Sequence, residues 1–322
     1  MWLHRSYFLE DAAGGIDLMN VTFVTGASSG LGRQIAMSLA ARGDLIVVAA
    51  RRRELLDALV REIETAGGRA RAITCDVTDR EQVSRAVALV ESTDGPIERL
   101  VSCVGGGKRT TIDDFRAAQV EQMLSLNVMG TANCLEAVLP RMLHRERGHI
   151  VAISSLAAAR GLPGAAEYSA AKAALSTLLE GLRIDLKSRG IDVTVLSPGF
   201  VRTDENKKRR PMEVPLDVAA ARMVKAIERR RKSYSFPLWL ALFLAVLRCL
   251  PPTLADAIVS TVRFRKFRRT QAQHRKIGAP PAMAADDRRH SRTLPSSEPT
   301  NQPFVGDKVL NTGTETAPHR IE

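Results

Sequence analysis

Ser155, Tyr168 and Lys172 carry side chains that could together move a proton to or from an alcohol. The segment Glu167–Ser188 is rich in Ala and Leu and has no internal Pro, which predicts a helix. Residues four apart on a helix share a face, so the Lys172 ammonium is expected beside the Tyr168 phenol. A nearby cation lowers the pKa of a phenol from about 10. The spacing predicts an acid–base pair, although a lone pair of this kind also arises by chance on helix surfaces.

The elements that must position these side chains alternate between apolar strands and helices. The predicted strands are Val21–Thr25, Leu45–Ala50, Ala70–Cys75, Leu100–Val104, His149–Ser154, Ile191–Ser197 and Ser233–Phe236. The first predicted helix ends at Arg42. The others cover Arg53–Ala66, Asp79–Ser92, 120–143, Glu167–Ser188 and part of Val214–Arg231. Continuous Val/Ile/Leu strands between helices are typical of a parallel sheet covered on both faces. The sequence therefore predicts a Rossmann-type, doubly wound α/β domain with a C-terminal apolar and basic helical extension.

A glycine-rich loop joins the first predicted strand to the first predicted helix. It reads Thr25-Gly26-Ala27-Ser28-Ser29-Gly30-Leu31-Gly32. Glycines permit a tight turn and a close approach of pyrophosphate to the backbone, and the N-terminus of the following helix offers free N–H groups. The position of the loop predicts dinucleotide binding; the alternative is a purely structural turn.

The end of the second predicted strand bears on which nicotinamide cofactor is used. The strand ends with Arg51, Arg52 and Arg53 and has no acidic residue there. An acid at this place would bind the ribose 2′-hydroxyl of NAD, whereas an arginine accommodates the 2′-phosphate of NADP. NADP(H) is thus favoured over NAD(H), with Arg51 and Arg52 as the clamp; the alternative is a solvated basic turn. Asp76, after the third strand, could meet the adenine amino group or cap the next helix.

Together these motifs resemble the short-chain dehydrogenase/reductase family, of the classical type, from about Val21 to Thr203. The resemblance implies cofactor contacts from Thr25, Gly26, Ser28, Ser29, Gly30, Leu31, Gly32, Gly105, Asn127, Tyr168, Lys172, Pro198, Gly199, Val201 and Thr203. It also implies a catalytic tetrad of Asn127, Ser155, Tyr168 and Lys172. Ser155 rather than Ser154 matches the family's serine because of its spacing to Tyr168.

The resemblance also implies a role for each member of the tetrad. Tyr168 would give its proton to a carbonyl oxygen that receives hydride from NADPH, and Ser155 would hydrogen-bond the same oxygen. Lys172 would lower the phenol pKa and bind the nicotinamide ribose, while Asn127 would organise a helix break and a water. One motif departs from the family: Ser102-Cys103-Val104-Gly105 replaces the usual Asn-Asn-Ala-Gly, so other contacts are expected to brace the central strands.

Charge and cysteine content narrow the class of protein. The 322-residue chain has a net charge of +12. Residues 207–276 have 18 basic and 4 acidic residues, whereas the rest has 29 basic and 31 acidic residues. The four cysteines have no zinc-site spacing and form no disulfide framework, which favours a reduced cytoplasmic protein. Residues 1–19 have no evident signal peptide and predict a loose extension, with Met19 as an alternative start.

The late part of the chain combines an apolar run with basic clusters. The run Phe236–Leu247 is followed by Arg248, by Pro251-Pro252 and by an amphipathic stretch, Leu254–Phe264. Basic clusters at Arg229–Lys232 and Arg263–Arg269 flank it, as in helices that lie in a membrane interface. A pocket lid or dimer face, and a marginal membrane span, remain open alternatives. Nucleic-acid binding is less favoured because the basic clusters adjoin an apolar run.

These observations predict an NADP-dependent enzyme that interconverts a ketone and a secondary alcohol on a small, hydrophobic carbonyl substrate. We expect a cytoplasmic homo-oligomer, with peripheral attachment to the cytoplasmic face of a membrane as an open possibility. A non-catalytic, dinucleotide-binding membrane adaptor is the alternative function. The predicted organisation is an extension at 1–19, the catalytic domain at 20–236, a membrane-associating segment at 237–269 and a disordered tail at 270–322.

Overall fold

A computed structural model describes residues 20–107, 113, 115–203 and 212–260. The predicted N-terminal extension, the predicted tail and the basic cluster at 263–269 lie outside the described residues. The described residues contain the predicted catalytic domain, apart from short gaps, and the first part of the late apolar segment.

Seven parallel strands form one sheet in the order β3-β2-β1-β4-β5-β6-β7. They are β1 (Val21–Thr25), β2 (Leu45–Ala50), β3 (Arg69–Thr74), β4 (Ile97–Ser102), β5 (Gly148–Ile153), β6 (Ile191–Pro198) and β7 (Ser233–Phe236). The strand order reverses direction between β1 and β4, and open α/β sheets bind ligands beyond the carboxyl ends of the strands at such a point. The prediction of a Rossmann-type parallel sheet is therefore confirmed.

Helices cover both faces of the sheet. They are α1 (Gly30–Ala40), α2 (Arg53–Thr65), α3 (Arg80–Thr93), α4 (Ala117–Leu124), α5 (Gly130–Arg145), α6 (Ala166–Leu186), α7 (Leu216–Glu228) and α8 (Leu238–Cys249). Successive strand residues point to opposite faces, so Phe23 joins the core under α3, α5 and α6 while Val24 joins the core under α1, α2 and α7. Two apolar cores thus hold the carboxyl ends of the strands in a fixed register.

The single helix predicted over residues 120–143 is interrupted. Helix α4 ends at Leu124, a π-helical turn covers Ser125–Met129, and α5 begins at Gly130. A β-carbon on Gly130 would lie 2.6 Å from Cγ2 of Val77, so only glycine allows this close approach to the end of β3. Such π-turns are frequent at functional sites, and this one contains Asn127.

The late apolar run folds into α8, and residues 252–260 form a further helical segment. Leu244 and Leu247 of α8 pack with Leu156 and Ala255 in a separate apolar cluster. Leu156 opens a 3₁₀ turn, Leu156–Ala159, directly after Ser155. Helix α8 therefore rests on the segment that follows a predicted catalytic residue. Within the described ranges, no helix has both the length and the hydropathy that crossing a bilayer requires.

A buried polar network lies at the amino ends of the strands. Asp44, which precedes β2, pairs with Arg99 of β4 and accepts a hydrogen bond from Oγ1 of Thr22 at 2.7 Å. Arg99 also contacts His149 of β5, whose other ring nitrogen lies 2.9 Å from Oγ1 of Thr194. Burial and the nearby Arg99 cation lower the pKa of His149 to about 3, so this ring is neutral. Strand β4 begins at Ile97 rather than at Leu100, because Arg99 is accommodated inside by this network.

Candidate active site

Ser155 lies at the carboxyl end of β5 and faces Tyr168. The two side chains share a hydrogen bond, and Oγ of Ser155 also accepts from the backbone N–H of Ala157 at 3.1 Å. Ser154 points the other way: its Oγ donates to the Lys172 carbonyl at 3.1 Å and lies 2.7 Å from Oγ of Ser176. Alternation at the strand end therefore gives Ser155 access to Tyr168 and leaves Ser154 in the protein interior.

Lys172 is almost completely buried beside Tyr168. Its Nζ lies 6.0 Å from the centre of the Tyr168 ring and donates a hydrogen bond to the Ile153 carbonyl at 2.8 Å. Burial disfavours the charged amine and lowers the pKa of Lys172 from 10.5 to about 8. Helix α6 thus places both side chains on one face, as the four-residue spacing predicts.

The pKa of Tyr168 moves in the direction opposite to the one predicted. Burial raises the Tyr168 pKa above 10.0, and the hydrogen bond from Ser155 opposes this only in part. The expectation that Lys172 lowers the phenol pKa is therefore wrong. The physical reason is that loss of solvation disfavours the charged phenolate, and the Lys172 ammonium, 6.0 Å from the ring centre, does not offset this effect. Tyr168 is accordingly a neutral proton donor at neutral pH.

Asn127 is held in the π-turn with its amide directed at the neighbouring loop. Its Nδ2 donates to the carbonyls of Met123 at 3.0 Å and Gly106 at 3.1 Å. Its Oδ1 is buried and has no hydrogen-bond partner in the described part of the chain. A buried, unpaired acceptor is costly, so this atom is positioned to bind a ligand or a water.

Gly105 lies between Asn127 and Lys172. A β-carbon built on Gly105 would lie 2.7 Å from Nζ of Lys172 and 2.8 Å from Oδ1 of Asn127. One on Gly107 would lie 3.0 Å from Cδ2 of Tyr168. The loop after β4 therefore packs its glycine backbone directly against three of the four predicted catalytic side chains, those of Asn127, Tyr168 and Lys172, and Ser155 joins them through Tyr168. The close approach of Gly107 to Tyr168 was not predicted. The run Gly105-Gly106-Gly107 is the signal in the sequence that could have indicated it.

The glycine loop after β1 has the backbone that its sequence predicts. Gly26 and Gly30 have positive φ angles of 68° and 55°, which residues with a side chain rarely adopt. A β-carbon on Gly32 would lie 2.4 Å from the Gly26 carbonyl oxygen, so the loop and the first turn of α1 are in direct contact. Cγ2 of Thr203 lies 3.7 Å from the β-carbon position of Gly30. The loop, α1 and Thr203 thus form one cleft wall.

Arg52 rather than Arg51 is directed at the glycine loop. Its guanidinium donates to Oγ of Ser28 at 2.8 Å and to Oγ of Ser29 at 3.1 Å. The side chain of Arg51 is 74% exposed and lies 3.7 Å from a carboxylate oxygen of Asp76. The two arginines therefore flank the end of β2 from different sides, and Arg52 is closer to the place where a dinucleotide would lie.

Asp76 does not cap α3. Its Oδ1 accepts from the backbone N–H of Thr78 at 3.0 Å and from the Thr78 hydroxyl at 2.8 Å. The cap is Asp79, which accepts from the Gln82 N–H at 3.0 Å. Asp76 therefore forms a local turn after β3 and remains available, together with Arg51, at the edge of the cleft.

The segment after β6 runs beside β7 and then turns over the cleft. Pro198 is the last residue of β6, the N–H of Gly199 donates to the Phe236 carbonyl at 2.8 Å, and Val201 forms an isolated bridge with Val214. The predicted loops 105–115 and 203–214 lie partly outside the described residues. This segment brings Thr203 next to the glycine loop. The chain numbering separates Thr203 from Thr25, the first residue of that loop, by 178 positions.

The departure from the Asn-Asn-Ala-Gly motif is compensated by a hydroxyl pair. Oγ of Ser102 lies 2.8 Å from Oγ1 of Thr131, and both residues are buried. The N–H of Cys103 donates to the Thr25 carbonyl at 3.2 Å, which continues the ladder between β1 and β4. Burial raises the pKa of the Cys103 thiol to about 12, so this cysteine is inert at neutral pH. The Ser102–Thr131 contact could not be predicted because Thr131 lies on α5, behind the π-turn.

The residues of the cleft fit a nicotinamide dinucleotide. The glycine backbone leaves room for a pyrophosphate at the N-terminus of α1, Arg52 adds a positive charge, and the unpaired Oδ1 of Asn127 lies at the far end. The cleft opens at the switch point between β1 and β4, where such ligands bind in this fold.

Comparison with known proteins agrees with this geometry. The family model described as short chain dehydrogenase matches residues 20–214. An uncharacterized oxidoreductase of Myxococcus xanthus is 39% identical over 243 residues, covering 74% of this chain and 96% of that protein. The chain belongs to the short-chain dehydrogenase family, and it is an NAD(P)-dependent oxidoreductase.

Solved structures with the same fold cover most of the chain. A short-chain dehydrogenase from Streptomyces avermitilis matches with a TM-score of 0.64 and 30% identity, over 79% of this chain and 98% of that chain. A 7α-hydroxysteroid dehydrogenase, solved with NADH and 7-oxo glycochenodeoxycholic acid, matches with a TM-score of 0.63 and 26% identity, over 68% of this chain and 92% of that chain.

Proposed function

We propose that the protein interconverts a ketone and a secondary alcohol with NADP(H), on a hydrophobic substrate. The observation that carries the proposal is the hydrogen bond between Ser155 and a neutral Tyr168, next to the buried amine of Lys172. This set can bind a carbonyl oxygen and protonate it. The alternative of a non-catalytic adaptor is not favoured, because a sensor has no need for a proton donor in this position.

In the reductive direction Tyr168 and Ser155 act on the same oxygen. The Tyr168 hydroxyl donates its proton as negative charge develops on the substrate oxygen, and Ser155 stabilises that charge by a hydrogen bond. Lys172, fixed on the Ile153 carbonyl, supplies positive charge behind the phenol. Asn127 uses its buried, unpaired Oδ1 to hold a water or ligand atom near Lys172. A nicotinamide dinucleotide bound in the cleft would supply the hydride.

The preference for NADP(H) rests on Arg52 and Arg51. A guanidinium at the end of β2 can bind a 2′-phosphate with two hydrogen bonds, and no acidic residue follows β2 to bind a ribose 2′-hydroxyl instead. The hydroxysteroid dehydrogenase relative binds NADH, so family membership alone leaves the preference open. The proposed contacts of the other cofactor residues, including Leu31, Pro198 and Val201, follow from the family motif.

The proposed hydrophobic substrate follows from the wall next to Ser155. Leu156 and Ala157 are buried, and the apolar residues of α8 extend the same wall. A hydroxysteroid dehydrogenase relative binds a bile-acid ketone, which is a large and mostly apolar molecule. We propose a substrate of comparable character, without assigning its identity.

The test is oxidation of NADPH, followed by absorbance, with a panel of ketones of increasing chain length and ring number. We expect kcat/KM to rise with apolar size and to be higher with NADPH than with NADH. Equal turnover of short polar and large apolar ketones would contradict the proposed substrate class. The proposed reaction would be contradicted if no ketone led to oxidation of NADPH and if none of the matching alcohols led to formation of NADPH from NADP.

We also propose a cytoplasmic homo-oligomer that attaches peripherally to a membrane. Apolar residues of α6 remain exposed, among them Leu178 at 37% and Ile184 at 69%, and such positions suit contact with a second copy. Light scattering of purified protein gives the mass directly. A monomer at micromolar concentration, for both wild type and Ile184→Glu, would contradict the proposed assembly.

A further inference from the structure

Helix α8 exposes a stripe of large apolar side chains. The exposed fractions are 66% for Leu238, 52% for Trp239, 58% for Leu242, 46% for Phe243 and 62% for Val246. At 3.6 residues per turn these positions fall within roughly half of the helix circumference. We call these five residues the α8 stripe. Exposed apolar side chains in such a continuous array mark an interaction surface.

The opposite side of α8 is also apolar, and it is already occupied. Leu244 and Leu247 are buried against Leu156 and Ala255, and Leu240 and Ala241 pack beside them. A helix that is apolar on all sides is normally buried on all sides. Because one side of α8 is filled by the enzyme itself, a second apolar phase must cover the stripe.

The charge of the sequence that contains and follows α8 indicates which apolar phase this is. Residues 237–276 contain eight basic residues and a single acidic residue, Asp256. Asp256 is paired with Arg160 at 2.7 Å, so the basic residues have little internal compensation in this segment. An anionic bilayer presents hydrocarbon beneath a layer of phosphate groups, and it is therefore complementary to a segment that is both apolar and basic.

We propose that the α8 stripe docks on an anionic lipid bilayer, with α8 in the plane of the interface. Trp239 lies in the first turn of the stripe, and tryptophan is enriched at the boundary between headgroups and hydrocarbon. A second copy of the chain is the weaker candidate, because a face-to-face pair would bring two strongly basic segments together.

Docking would be coupled to the active site through two contacts. Leu156, directly after Ser155, packs under α8, and Arg160 joins the same turn to both the Leu247 carbonyl at 3.4 Å and Asp256. Helix α8 therefore lies between the bilayer and Leu156, so the membrane is about one helix diameter, roughly 10 Å, from the segment that follows Ser155. This part of the inference rests on the proposed function: a membrane-dissolved ketone reaches Ser155 and Tyr168 from the α8 side without crossing bulk water.

Binding to vesicles tests the docking without any turnover. The chain has two tryptophans, so Trp2→Phe leaves Trp239 as the single fluorescent reporter. We expect a blue shift of its emission and co-sedimentation with vesicles of phosphatidylglycerol and phosphatidylcholine in equal parts. Binding should be at least tenfold weaker with phosphatidylcholine alone, and it should weaken as NaCl is raised from about 0.1 to 0.5 M.

Leu242→Glu combined with Val246→Glu places charges on the stripe without touching Leu244 or Leu247. We expect this variant to lose at least about tenfold in vesicle affinity. Leu89→Glu is the matched control, since Leu89 is an apolar residue of α3 with 45% exposure, and it should bind as wild type does. Wild-type protein that ignores anionic vesicles, or a double variant that binds them unchanged, overturns the proposal. A stable wild-type dimer that the double variant dissociates, without vesicle binding, assigns the stripe to a second copy and overturns it as well.

Activity measurements separate this inference from the proposed function. We expect the double variant to reduce a short, water-soluble ketone at the wild-type rate, and to reduce a long-chain ketone dissolved in vesicles at least tenfold more slowly. Equal loss on both substrates would overturn the coupling to substrate delivery. Absence of reductase activity in wild type on both substrates would contradict the proposed function, while vesicle binding would still support the docking surface.

Discussion

The ammonium of Lys172 lies 6.0 Å from the centre of the Tyr168 ring, and burial moves their two pKa values in opposite directions. The Tyr168 pKa rises, the Lys172 pKa falls to about 8, and so the neutral forms of both groups are favoured. The raised Tyr168 pKa therefore favours donating a proton from the phenol over accepting one.

Tyr168→Phe removes the proposed proton donor and leaves the ring in place. We expect turnover to fall by at least about 100-fold, because general acid catalysis contributes factors of that size. Binding of NADPH, measured by its fluorescence, should change by less than about threefold, since the glycine loop and Arg52 are untouched. Near-normal turnover of this variant would rule out the mechanism.

Gly105→Ala and Gly106→Ala form a matched pair in the loop after β4. A β-carbon at Gly105 would lie 2.7 Å from Nζ of Lys172, whereas one at Gly106 would meet nothing within 4 Å. We expect a loss of kcat of about 100-fold for Gly105→Ala, since displacements near 1 Å can cost that much, and little change for Gly106→Ala. Similar rates in the two variants would mean that Gly105 does not hold Lys172 and Asn127 in place.

Arg52→Ala should weaken selection of NADPH. Loss of a charge-assisted hydrogen bond to the 2′-phosphate corresponds to a roughly 10- to 100-fold decrease in kcat/KM for NADPH, with a much smaller change for NADH. Arg53→Ala is the control, because Arg53 is the adjacent arginine and bonds Asp57 on its own helix at 2.8 Å. If the ratio of the two kcat/KM values is unchanged in Arg52→Ala, then either Arg51 provides the selectivity for NADPH or the protein has no such selectivity.

The depressed pKa of Lys172 predicts a stability change at alkaline pH. Between about 8 and 10.5 the unfolded chain holds the lysine proton more tightly than the folded protein does. The free energy of unfolding contributed by this group therefore rises as pH increases through this window, and the contribution is lost as pH falls to about 8. Lys172→Met should abolish this rise, measured as urea unfolding midpoints at pH 7.5 and 10.5. A wild-type midpoint that changes with pH as the variant's does would contradict the depressed pKa.

The ion pair between Asp44 and Arg99 should be important for stability, because only 10% of the Asp44 side chain and 13% of the Arg99 side chain are exposed. Removal of one partner from a buried pair leaves an uncompensated charge and costs about 3–5 kcal/mol. Asp44→Ala should lose about this much in the free energy of unfolding, whereas Glu136→Ala, which breaks an exposed pair with Arg80, should leave the free energy of unfolding nearly unchanged. If urea unfolding gave comparable losses for the two variants, the network around Arg99 would stabilise the fold no more than an exposed ion pair does.

The sequence predicted the strands and the position of Tyr168 relative to Lys172 well, for identifiable reasons. Strands β1 and β2 are continuous apolar runs with sharp ends, so the prediction gave their bounds as the structure has them. Tyr168 and Lys172 share a helix, so their relation is local. The glycine loop is also local, because Gly26 and Gly30 need positive φ angles whatever surrounds them.

Features that depend on contacts between distant segments could not be predicted in the same way. The π-turn at Ser125–Met129 follows from the approach of Gly130 to Val77, and the two are far apart in sequence. The raised pKa of Tyr168 follows from burial by loops whose positions no local pattern specifies. The choice of Arg52 over Arg51 depends on which way the chain leaves β2, and propensity does not determine that direction.

Helix α8 also has a consequence for the order in which the protein is made. A growing chain that has released residues up to Thr203 already contains every proposed catalytic group, but it lacks the helix that packs on Leu156. Synthesis from the amino terminus therefore completes the chemical centre before its apolar wall. During that interval Leu156 and its neighbours are open to water, and the finished enzyme arises only when the last helices have emerged from the ribosome.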